Sequence, residues 1–205
     1  MTRSHDNVVF LVRHGETEWN REGRVQGRLD SPLTPRGRDQ AALAGKLIRA
    51  FVPDPLCLEV VSSPLGRAKE TAHLLCDAAG IPASFVATDL RLAEVSTGEW
   101  DGLLYGEVVR MAPDVVAANP NHGWYLHSPS GERYEDVEAR VASWLESVAI
   151  RPAVVAVTHG IVSRVLRGLY AGISRDEALR LPLPQDSVFV LARGTVESLA
   201  EPPLD

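Results

Sequence analysis

Four short runs of β-branched and other apolar residues recur along the chain of 205 residues, and they constrain its fold more than any other feature. Unbroken apolar runs of this length are typical of strands that are covered on both faces, as in a parallel or mixed sheet. A weaker run of the same kind lies at 84–87. The four stronger runs are 7–12, 58–62, 153–158 and 187–191.

Stretches with helical spacing lie between these runs. Two of them begin with a hydroxyl residue followed by proline, which is a favourable pair for the first positions of a helix. Strands that alternate with helices predict an α/β fold, with a sheet between helices, in one domain over residues 1–205. The predicted helices run from Thr34-Pro35 through Ile48, from Ser63-Pro64 to about Ala79, from Tyr134 to about Ala149, and from Gly160 to about Tyr170.

Residues 112–131 interrupt this regular pattern. The segment is rich in Pro, Asn, Gly and Ser and contains no Arg or Lys, so it predicts a long irregular excursion. Excursions from an α/β core often cover the functional site. For His122, Trp124, Tyr125 and His127, a solvated loop is favoured over contact with a ligand, and Trp100 is expected to serve packing.

Composition limits the partners and the location. The chain has 27 acidic and 21 basic side chains, a formal net charge of −6, and this balance disfavours a nucleic-acid partner. Cys57 and Cys76 lack metal-site or redox spacing, so buried, reduced thiols are expected. The apolar run that ends before Arg13 is too short for a signal segment or a membrane span. We therefore expect a cytoplasmic protein without a membrane partner.

Polar side chains follow three of the predicted strands directly. These are Arg13-His14-Gly15, Ser63 through Arg67, and Thr158-His159-Gly160. Ligands of open α/β sheets bind beyond the carboxyl ends of the strands, so these groups should meet at one edge. Glycines permit close approach of the backbone, helix starts present free amides, and guanidinium groups pair with two oxygens of a phosphate. The combination predicts a phosphate site.

The two histidines fit a metal site or a serine hydrolase less well. Flanking arginines would repel a metal ion, so no metal and no cofactor is expected. The chain has no G-x-S-x-G segment for a serine nucleophile, and no G-x-G-x-x-G or P-loop sequence. The remaining chemistry is an imidazole nucleophile that attacks phosphorus while cationic groups stabilise the oxygens.

The chain resembles the histidine phosphatase superfamily, which includes the cofactor-dependent phosphoglycerate mutases and many small phosphatases. The resemblance spans nearly the whole chain. Four segments carry it in the family's order: Arg-His-Gly-Glu-Thr at 13–17 with Asn20 and 23–27, Ser-Pro-Leu-x-Arg-Ala-x-x-Thr-Ala at 63–72, Glu94 ahead of Gly98, and Thr158-His159-Gly160.

This resemblance implies a three-layer αβα sandwich with a mainly parallel, six-stranded sheet of the phosphoglycerate mutase type. It implies a phosphohistidine at His14 and a proton donor at Glu94. It also implies that Arg13, Arg67 and His159 hold the phosphoryl group. The remaining candidates for substrate binding are Asn20, Gln26, Gly27, Gly160 and Thr17, although Thr17 could equally serve to brace its loop.

Within this family the sequence favours a phosphatase over a mutase. A mutase needs additional cations to rebind a bisphosphate, and the segment after Glu94 is acidic instead. We expect a phosphomonoesterase acting on small phosphorylated metabolites, such as sugar phosphates or phosphoglycerate derivatives. The alternatives are a phosphoglycerate mutase, a protein phosphatase and a non-catalytic interaction domain. Arg133 could contact substrate or start a helix. A homodimer is possible, and the sequence does not decide the assembly state.

Overall fold

The computed structural model of the protein describes residues 7–200, and its centre is one six-stranded sheet. The strand order is β3-β2-β4-β1-β5-β6, with β1 to β4 parallel and β5 and β6 antiparallel. The strands are β1 (Val8–Arg13), β2 (Glu59–Ser62), β3 (Val86–Thr88), β4 (Ala153–Thr158), β5 (Ser187–Ala192) and β6 (Thr195–Ala200).

Helices cover both faces of this sheet. Side chains of successive residues in β1 alternate between two hydrophobic clusters: Val9 and Leu11 pack with the helices at 134–148 and 160–171, and Phe10 and Val12 pack with those at 35–51 and 66–79. The helices are α1 (Glu18–Glu22), α2 (Pro35–Phe51), α3 (Gly66–Ala79), α4 (Tyr105–Met111), α5 (Pro113–Ala118), α6 (Tyr134–Val148), α7 (Gly160–Ala171) and α8 (Arg175–Arg180). The expected α/β sandwich with a mainly parallel sheet is confirmed.

The strands predicted from the apolar runs are present: the run 153–158 matches β4 at both ends, and the ends of the other runs differ from those of the strands by at most two residues. The run-based prediction missed β6, which follows β5 through the two-residue turn Arg193-Gly194. Both turn residues have positive φ, 50° and 80°, as required by the turns that suit a right-twisted hairpin. A glycine between two short apolar segments was the available signal.

Two predictions about local structure were wrong. The second helix does not begin at Ser63-Pro64 but at Gly66, because the chain stays extended through Leu65. The excursion is also more regular than expected, since it contains α5 and a 3₁₀ helix at Gly123–His127. Trp124 and Trp100 pack together in a third hydrophobic cluster, which anchors the excursion to the loop after Glu94.

Some expectations concern single residues or chain ends. Cys76 is buried as expected, but Cys57 is exposed, and both are free thiols. No helix within residues 7–200 is both long enough and apolar enough to cross a membrane. The proposed single domain over residues 1–205 includes residues 1–6 and 201–205, which lie outside the described residues.

Candidate active site

Three neighbouring parallel strands bring the candidate residues together. In the sheet β4 lies between β2 and β1, and the paired ends are Arg13 with Thr158 and Ser62 with Val157. The polar residues that follow these strands therefore emerge side by side. The ring centroids of His14 and His159 are 5.1 Å apart. The predicted convergence at one edge is thus a feature of the fold.

His14 is buried, and its Nδ1 lies 2.8 Å from the carbonyl oxygen of Gly15. A carbonyl can only accept, so Nδ1 carries the proton and Nε2 keeps its lone pair. Burial lowers the pKa of His14 well below its usual value, and the charges of Arg67 and Arg13 lower it further. A neutral imidazole with an available Nε2 is the form that can act as a nucleophile.

His159 is fully buried beside His14 and lines neither of the cavities described below. Its Nε2 lies 2.7 Å from the Ser63 hydroxyl, and its Nδ1 has no hydrogen-bond partner among residues 7–200. The Ser63 oxygen also accepts from the amide of Leu65, so the hydroxyl proton is available for Nε2. This arrangement would place the ring proton on Nδ1. Burial and Arg67 lower the pKa of His159 well below its usual value, which keeps the ring neutral.

Arg13 and Arg67 supply the positive charge of the site. Arg13 donates from Nη1 to the carbonyl of Leu183 at 2.5 Å. Arg67 is buried and donates to the carbonyls of Leu29 and Gly27 and to the Asp30 carboxylate, at 2.6 to 3.0 Å. The Nε atom of each arginine is buried and has no hydrogen-bond partner in the described part of the chain. Burial lowers the pKa of both side chains, but arginine remains charged in proteins.

The sequence suggested that the amides at the two helix starts face an open pocket, but in the structure they do not. At α3, the amides of Gly66 and Arg67 donate to the Asp30 carboxylate. At α7, the amide of Ile161 donates to Oε2 of Glu94 at 3.4 Å, and the other carboxylate oxygen of Glu94 accepts from the amide of Val95 at 3.0 Å. Carboxylates of the chain itself therefore occupy both helix N-termini.

The candidate residues surround two adjoining cavities. A small cavity of about 40 Å³ is lined by Arg13, His14, Asn20, Arg24, Gln26, Gly27, Arg67, Glu94 and Tyr125. A large cavity of about 470 Å³ shares five of these residues and adds Gly23, Val25, Tyr105, His122, Trp124, Gly160, Ile161 and Leu183. Asn20, Gln26, Gly27 and Gly160 thus lie at the site, as expected.

Thr17 and Arg133 occupy supporting positions. Thr17 is fully buried, caps α1 and accepts a hydrogen bond from Gln26 at 2.8 Å, so it braces a lining residue rather than lining a cavity. Arg133 precedes α6: its amide donates to Asp136, and its side chain donates to the carbonyl of Leu126 at 3.3 Å. Arg133 therefore starts a helix, one of the two roles left open.

Sequence reasoning missed several residues of the site. Tyr125 and Trp124 line the cavities, so the favoured interpretation of a solvated loop was wrong for them. Gln185 donates to the carbonyl of His14 at 3.1 Å and to the Asn20 side chain at 3.3 Å. Asp30 holds Arg67 in place. No local pattern marks these residues, although aromatic residues in a polar excursion were a signal for Tyr125.

Within residues 7–200, no three His, Cys, Asp or Glu side chains are grouped as metal ligands would be. The charged groups that line the small cavity are instead three arginines and one carboxylate: Arg13, Arg24, Arg67 and Glu94.

Comparisons with known proteins agree with this geometry. The model of the histidine phosphatase superfamily, branch 1, matches residues 9–197. A probable phosphoglycerate mutase GpmB of Salmonella typhi is 32% identical over 183 residues, which are 88% of this chain and 82% of that protein. A glucosyl-3-phosphoglycerate phosphatase of Mycolicibacterium vanbaalenii is 35% identical over 180 residues, 82% of this chain and 76% of that protein.

Solved structures show the same relationship. Bacillus stearothermophilus YhfR superposes with a TM-score of 0.76 at 32% identity, over 97% of this chain and 98% of its own. The mycobacterial glucosyl-3-phosphoglycerate phosphatase Rv2419c, in complex with VO3, has a TM-score of 0.74 at 27% identity, over 95% of this chain and 97% of its own.

Proposed function

This chain belongs to branch 1 of the histidine phosphatase superfamily, and from that premise we propose that it hydrolyses small phosphomonoesters through a phosphohistidine at His14. Phosphatases are among its relatives, as are proteins named probable phosphoglycerate mutases. The substrate class and the covalent intermediate are our inference from the site.

Three buried nitrogen atoms without partners carry this proposal: Arg13 Nε, Arg67 Nε and His159 Nδ1. A buried donor that lacks an acceptor costs about 1–3 kcal/mol, so such groups are rare unless a ligand satisfies them. Arg13 and Arg67 line the small cavity together with His14, and the ring of His159 lies 5.1 Å from that of His14. Phosphoryl oxygens are acceptors that two guanidinium groups bind with particular strength.

In the first step, His14 Nε2 attacks phosphorus and the bond from phosphorus to the leaving oxygen breaks. Arg13, Arg67 and His159 stabilise the negative charge on the other oxygens. Glu94, in its protonated form, gives its proton to the leaving oxygen, which then departs as an alcohol. Glu94 lines both cavities, so it stands where the alcohol would pass from the small cavity to the large one.

In the second step, water attacks the phosphohistidine in line with the bond to Nε2. Glu94 now accepts a proton from this water, and the nitrogen leaves as neutral imidazole. The hydrogen bond from Nδ1 to the Gly15 carbonyl keeps the ring oriented through both steps. We propose that no metal ion takes part, because two guanidinium groups already supply positive charge beside the transferred group.

A phosphoglycerate mutase is the second candidate, on the strength of relatives that carry that name. A mutase must bind a substrate with a carboxylate and a second phosphate. Beyond the small cavity, the described lining of the large cavity adds no Lys or Arg. This charge balance supports hydrolysis over transfer to a second phosphoglycerate. An assay with 3-phosphoglycerate and 2,3-bisphosphoglycerate, run beside phosphate release, distinguishes the two activities.

The decisive experiment is acid quench with a ³²P-labelled phosphomonoester. We expect label on His14 in the wild type, and neither label nor turnover in His14→Ala, because the variant lacks the nitrogen that attacks phosphorus. The circular dichroism spectrum of the variant serves as the folding control. Turnover that persists in a folded His14→Ala protein would show that the nucleophile is assigned wrongly.

A chelator tests the proposed independence from metal. After prolonged dialysis against EDTA, the hydrolysis rate should be unchanged, because arginines rather than a metal neutralise the phosphoryl charge. A loss of activity that Mg²⁺ or Zn²⁺ restores would contradict this part of the proposal.

A further inference from the structure

The large cavity adjoins the small cavity around His14 and shares five lining residues with it. Glu94, the proposed proton donor, lines both cavities. The leaving oxygen of the substrate, which Glu94 would protonate, therefore lies where the two cavities meet. A substrate whose phosphoryl group occupies the small cavity must extend its alcohol portion into the large one. The volume of about 470 Å³ falls in the range of pockets for small organic molecules.

Aromatic rings form one wall of the large cavity, which we call the ring wall: Tyr105, His122, Trp124 and Tyr125. The rings of Trp124 and Tyr125 are 4.3 Å apart, and those of Tyr105 and Trp124 are 5.6 Å apart. Val25, Ile161 and Leu183 add apolar surface elsewhere in the lining. Surfaces of this kind bind flat or ring-shaped groups through contact with their faces.

The ring wall carries no net charge near neutral pH. Desolvation, together with the charges of Arg164 and Arg13, lowers the pKa of His122, and burial raises the pKa of Tyr125. Both side chains are therefore neutral. The Tyr125 hydroxyl makes no hydrogen bond within the described residues, so it can bind one polar group of a ligand.

Besides Arg13, the described lining of the large cavity contains one cation, Arg24, and it is already paired. Arg24 donates to Glu22 at 3.1 Å and to the carbonyl of Gly102 at 2.6 Å, and its guanidinium lies 5.5 Å from the ring of Trp19. With Arg13 assigned to the phosphoryl group, a carboxylate or second phosphate in the large cavity would lose water without gaining a further unpaired cation among the described lining residues. Such a group is costly to bury.

We propose that the large cavity is a leaving-group subsite for an uncharged, ring-bearing alcohol that stacks on Trp124 and Tyr125. This inference rests on the proposed phosphatase activity and specifies its substrate class. The shared chemistry is an uncharged ring, which can come from an aryl group or from a sugar. Acyclic phosphoglycerates lack the ring and carry the charge that the subsite disfavours.

Four substrates with alkoxide leaving groups test this inference: benzyl phosphate, glucose 6-phosphate, glycerol 3-phosphate and 3-phosphoglycerate. We expect kcat/KM for benzyl phosphate or glucose 6-phosphate to exceed that for glycerol 3-phosphate by about tenfold, as stacking and apolar contact allow. The cyclic substrate with the higher kcat/KM shows whether the ring comes from an aryl group or from a sugar. Equal or higher kcat/KM for 3-phosphoglycerate overturns the inference.

Tyr105→Ala, with Phe85→Ala as its control, examines the wall directly. The two side chains are similarly exposed, at 47% and 46%, but Phe85 borders a different surface pocket. Tyr105→Ala should reduce the preference for the cyclic substrate several-fold, whereas Phe85→Ala should leave it unchanged. An equal effect of both changes, or of neither, contradicts the inference.

Failure of the inference and failure of the proposed function are distinguishable. If p-nitrophenyl phosphate labels His14 but cyclic substrates show no advantage, the subsite is assigned wrongly and the phosphatase mechanism stands. If p-nitrophenyl phosphate neither labels His14 nor is hydrolysed, the proposed phosphatase function itself is wrong.

A separate set of hydrogen bonds identifies the residue that holds this wall in place. Residues 181–185 form a strap along the site, and three arginines donate to its successive carbonyls: Arg164 to Leu181 at 2.6 Å, Arg167 to Pro182 at 2.7 Å, and Arg13 to Leu183 at 2.5 Å. Arg164 alone among these three also donates to the carbonyl of Asn121, in the excursion.

We infer that Arg164 is a positioning residue that joins the strap to the excursion and so fixes the ring wall against Leu183. Its buried guanidinium donates from Nε to one segment and from Nη1 to the other. The residue after Asn121, His122, begins the ring wall. Without Arg164, two carbonyls from distant parts of the chain lose their common donor.

Arg167 provides a matched control. It too is a buried arginine of α7 that donates to the strap, and burial lowers the pKa of both arginines to about 10. Arg167, however, stacks on Phe189 at 4.0 Å and does not reach the excursion. If Arg164 only stabilised the fold, substitutions of Arg164 and of Arg167 would have the same effects.

Amide hydrogen exchange distinguishes these roles. Arg164→Gln should accelerate exchange in both 119–127 and 181–185, whereas Arg167→Gln should accelerate it in 181–185 alone. Arg164→Gln should also raise KM for p-nitrophenyl phosphate several-fold with little change in kcat. Unchanged exchange in 119–127 overturns the inference. If Arg164→Gln does not fold, Arg164→Lys, which cannot bridge both carbonyls in the same geometry, must show the same pattern more weakly.

Discussion

The chemistry of His14 is decided by its nearest neighbours. One carbonyl, that of Gly15, assigns the proton to Nδ1, and burial, followed by the charges of two guanidinium groups, disfavours a second proton on the ring. The sequence places His14 between an arginine and a glycine, but it does not say which ring nitrogen faces a substrate. That assignment needs the direction of the side chain, which follows from the fold.

A substitution of Glu94 tests the mechanism at the scale of a single residue. Glu94→Gln removes the proposed proton donor and keeps the size of the side chain, and its one amide oxygen can still accept one of the two hydrogen bonds that the amides of Ile161 and Val95 donate to Glu94. We expect the rate for alkyl phosphates to fall by about 10²–10⁴-fold, the usual contribution of general acid catalysis. The rate for p-nitrophenyl phosphate should fall far less, because its leaving group needs little protonation.

Steady-state assays with both substrates check this expectation. Equal losses on both would point away from Glu94 as the acid. Glu99 and Asp101, the other carboxylates that the sequence places nearby, line neither cavity. Asp101 instead accepts from the amides of Arg28 and Thr97, which gives it a bracing role.

At the scale of elements, the start of α3 shows how a carboxylate from elsewhere can replace a helix cap. Leu65, at the N-cap position, has no side chain that can cap the helix. Asp30, from a loop 36 residues earlier, accepts from the Gly66 and Arg67 amides and also pairs with the Arg67 guanidinium at 3.0 Å. One carboxylate therefore supports both the helix and a residue of the site.

Asp30→Ala should lower the free energy of unfolding by about 1–2 kcal/mol, as the loss of a helix cap does. Activity should fall as well, because Arg67 loses one of the groups that orient it. Urea denaturation and kcat/KM measure the two effects. Asp54→Ala is the control, since Asp54 caps only the 3₁₀ turn at Pro55–Cys57; activity in this control that fell as far as in Asp30→Ala would argue against the orienting role.

At the scale of the whole molecule, the net charge of −6 conceals a local reversal. Arg13, Arg24 and Arg67 face one small cavity that holds a single carboxylate, Glu94. The overall charge disfavours a long polyanion, whereas this cavity favours one phosphoryl group. Cytoplasmic location and assembly state stay predictions.

The buried histidines also make global stability depend on pH. The pKa of His14 and that of His159 are lowered well below 6.5 in the folded protein, so below pH 6.5 the unfolded chain binds protons that the folded protein does not. Stability is therefore fully present above pH 6.5 and decreases as the pH falls. The slope is up to about 1.4 kcal/mol per pH unit for each histidine.

Urea denaturation between pH 7 and pH 5 measures this slope. His159→Gln should make it shallower, because one of the two buried rings is gone. An unchanged slope would mean that other groups dominate in this range. Saturating inorganic phosphate should restore stability at the acid end, since an anion beside the rings favours their protonated forms.

The sequence by itself determined the central strands and the chemistry at their ends. Continuous apolar runs are local signals, and parallel strands necessarily present their carboxyl ends at one edge, so Arg13, His14, Arg67 and His159 could be placed together in advance. The prediction missed the sixth strand and the carboxylates that occupy the helix N-termini, and it placed the start of α3 wrongly.

Only the tertiary structure decided which distant residues complete the site. Tyr125 reaches it from the 3₁₀ helix of the excursion, and Gln185 and Asp30 reach it from two loops whose local sequence does not encode that approach. Their positions follow from the packing of the excursion on the third hydrophobic cluster and from arginines that bind backbone carbonyls far along the chain. Such contacts depend on the directions of side chains in the folded protein, and a linear pattern does not contain them.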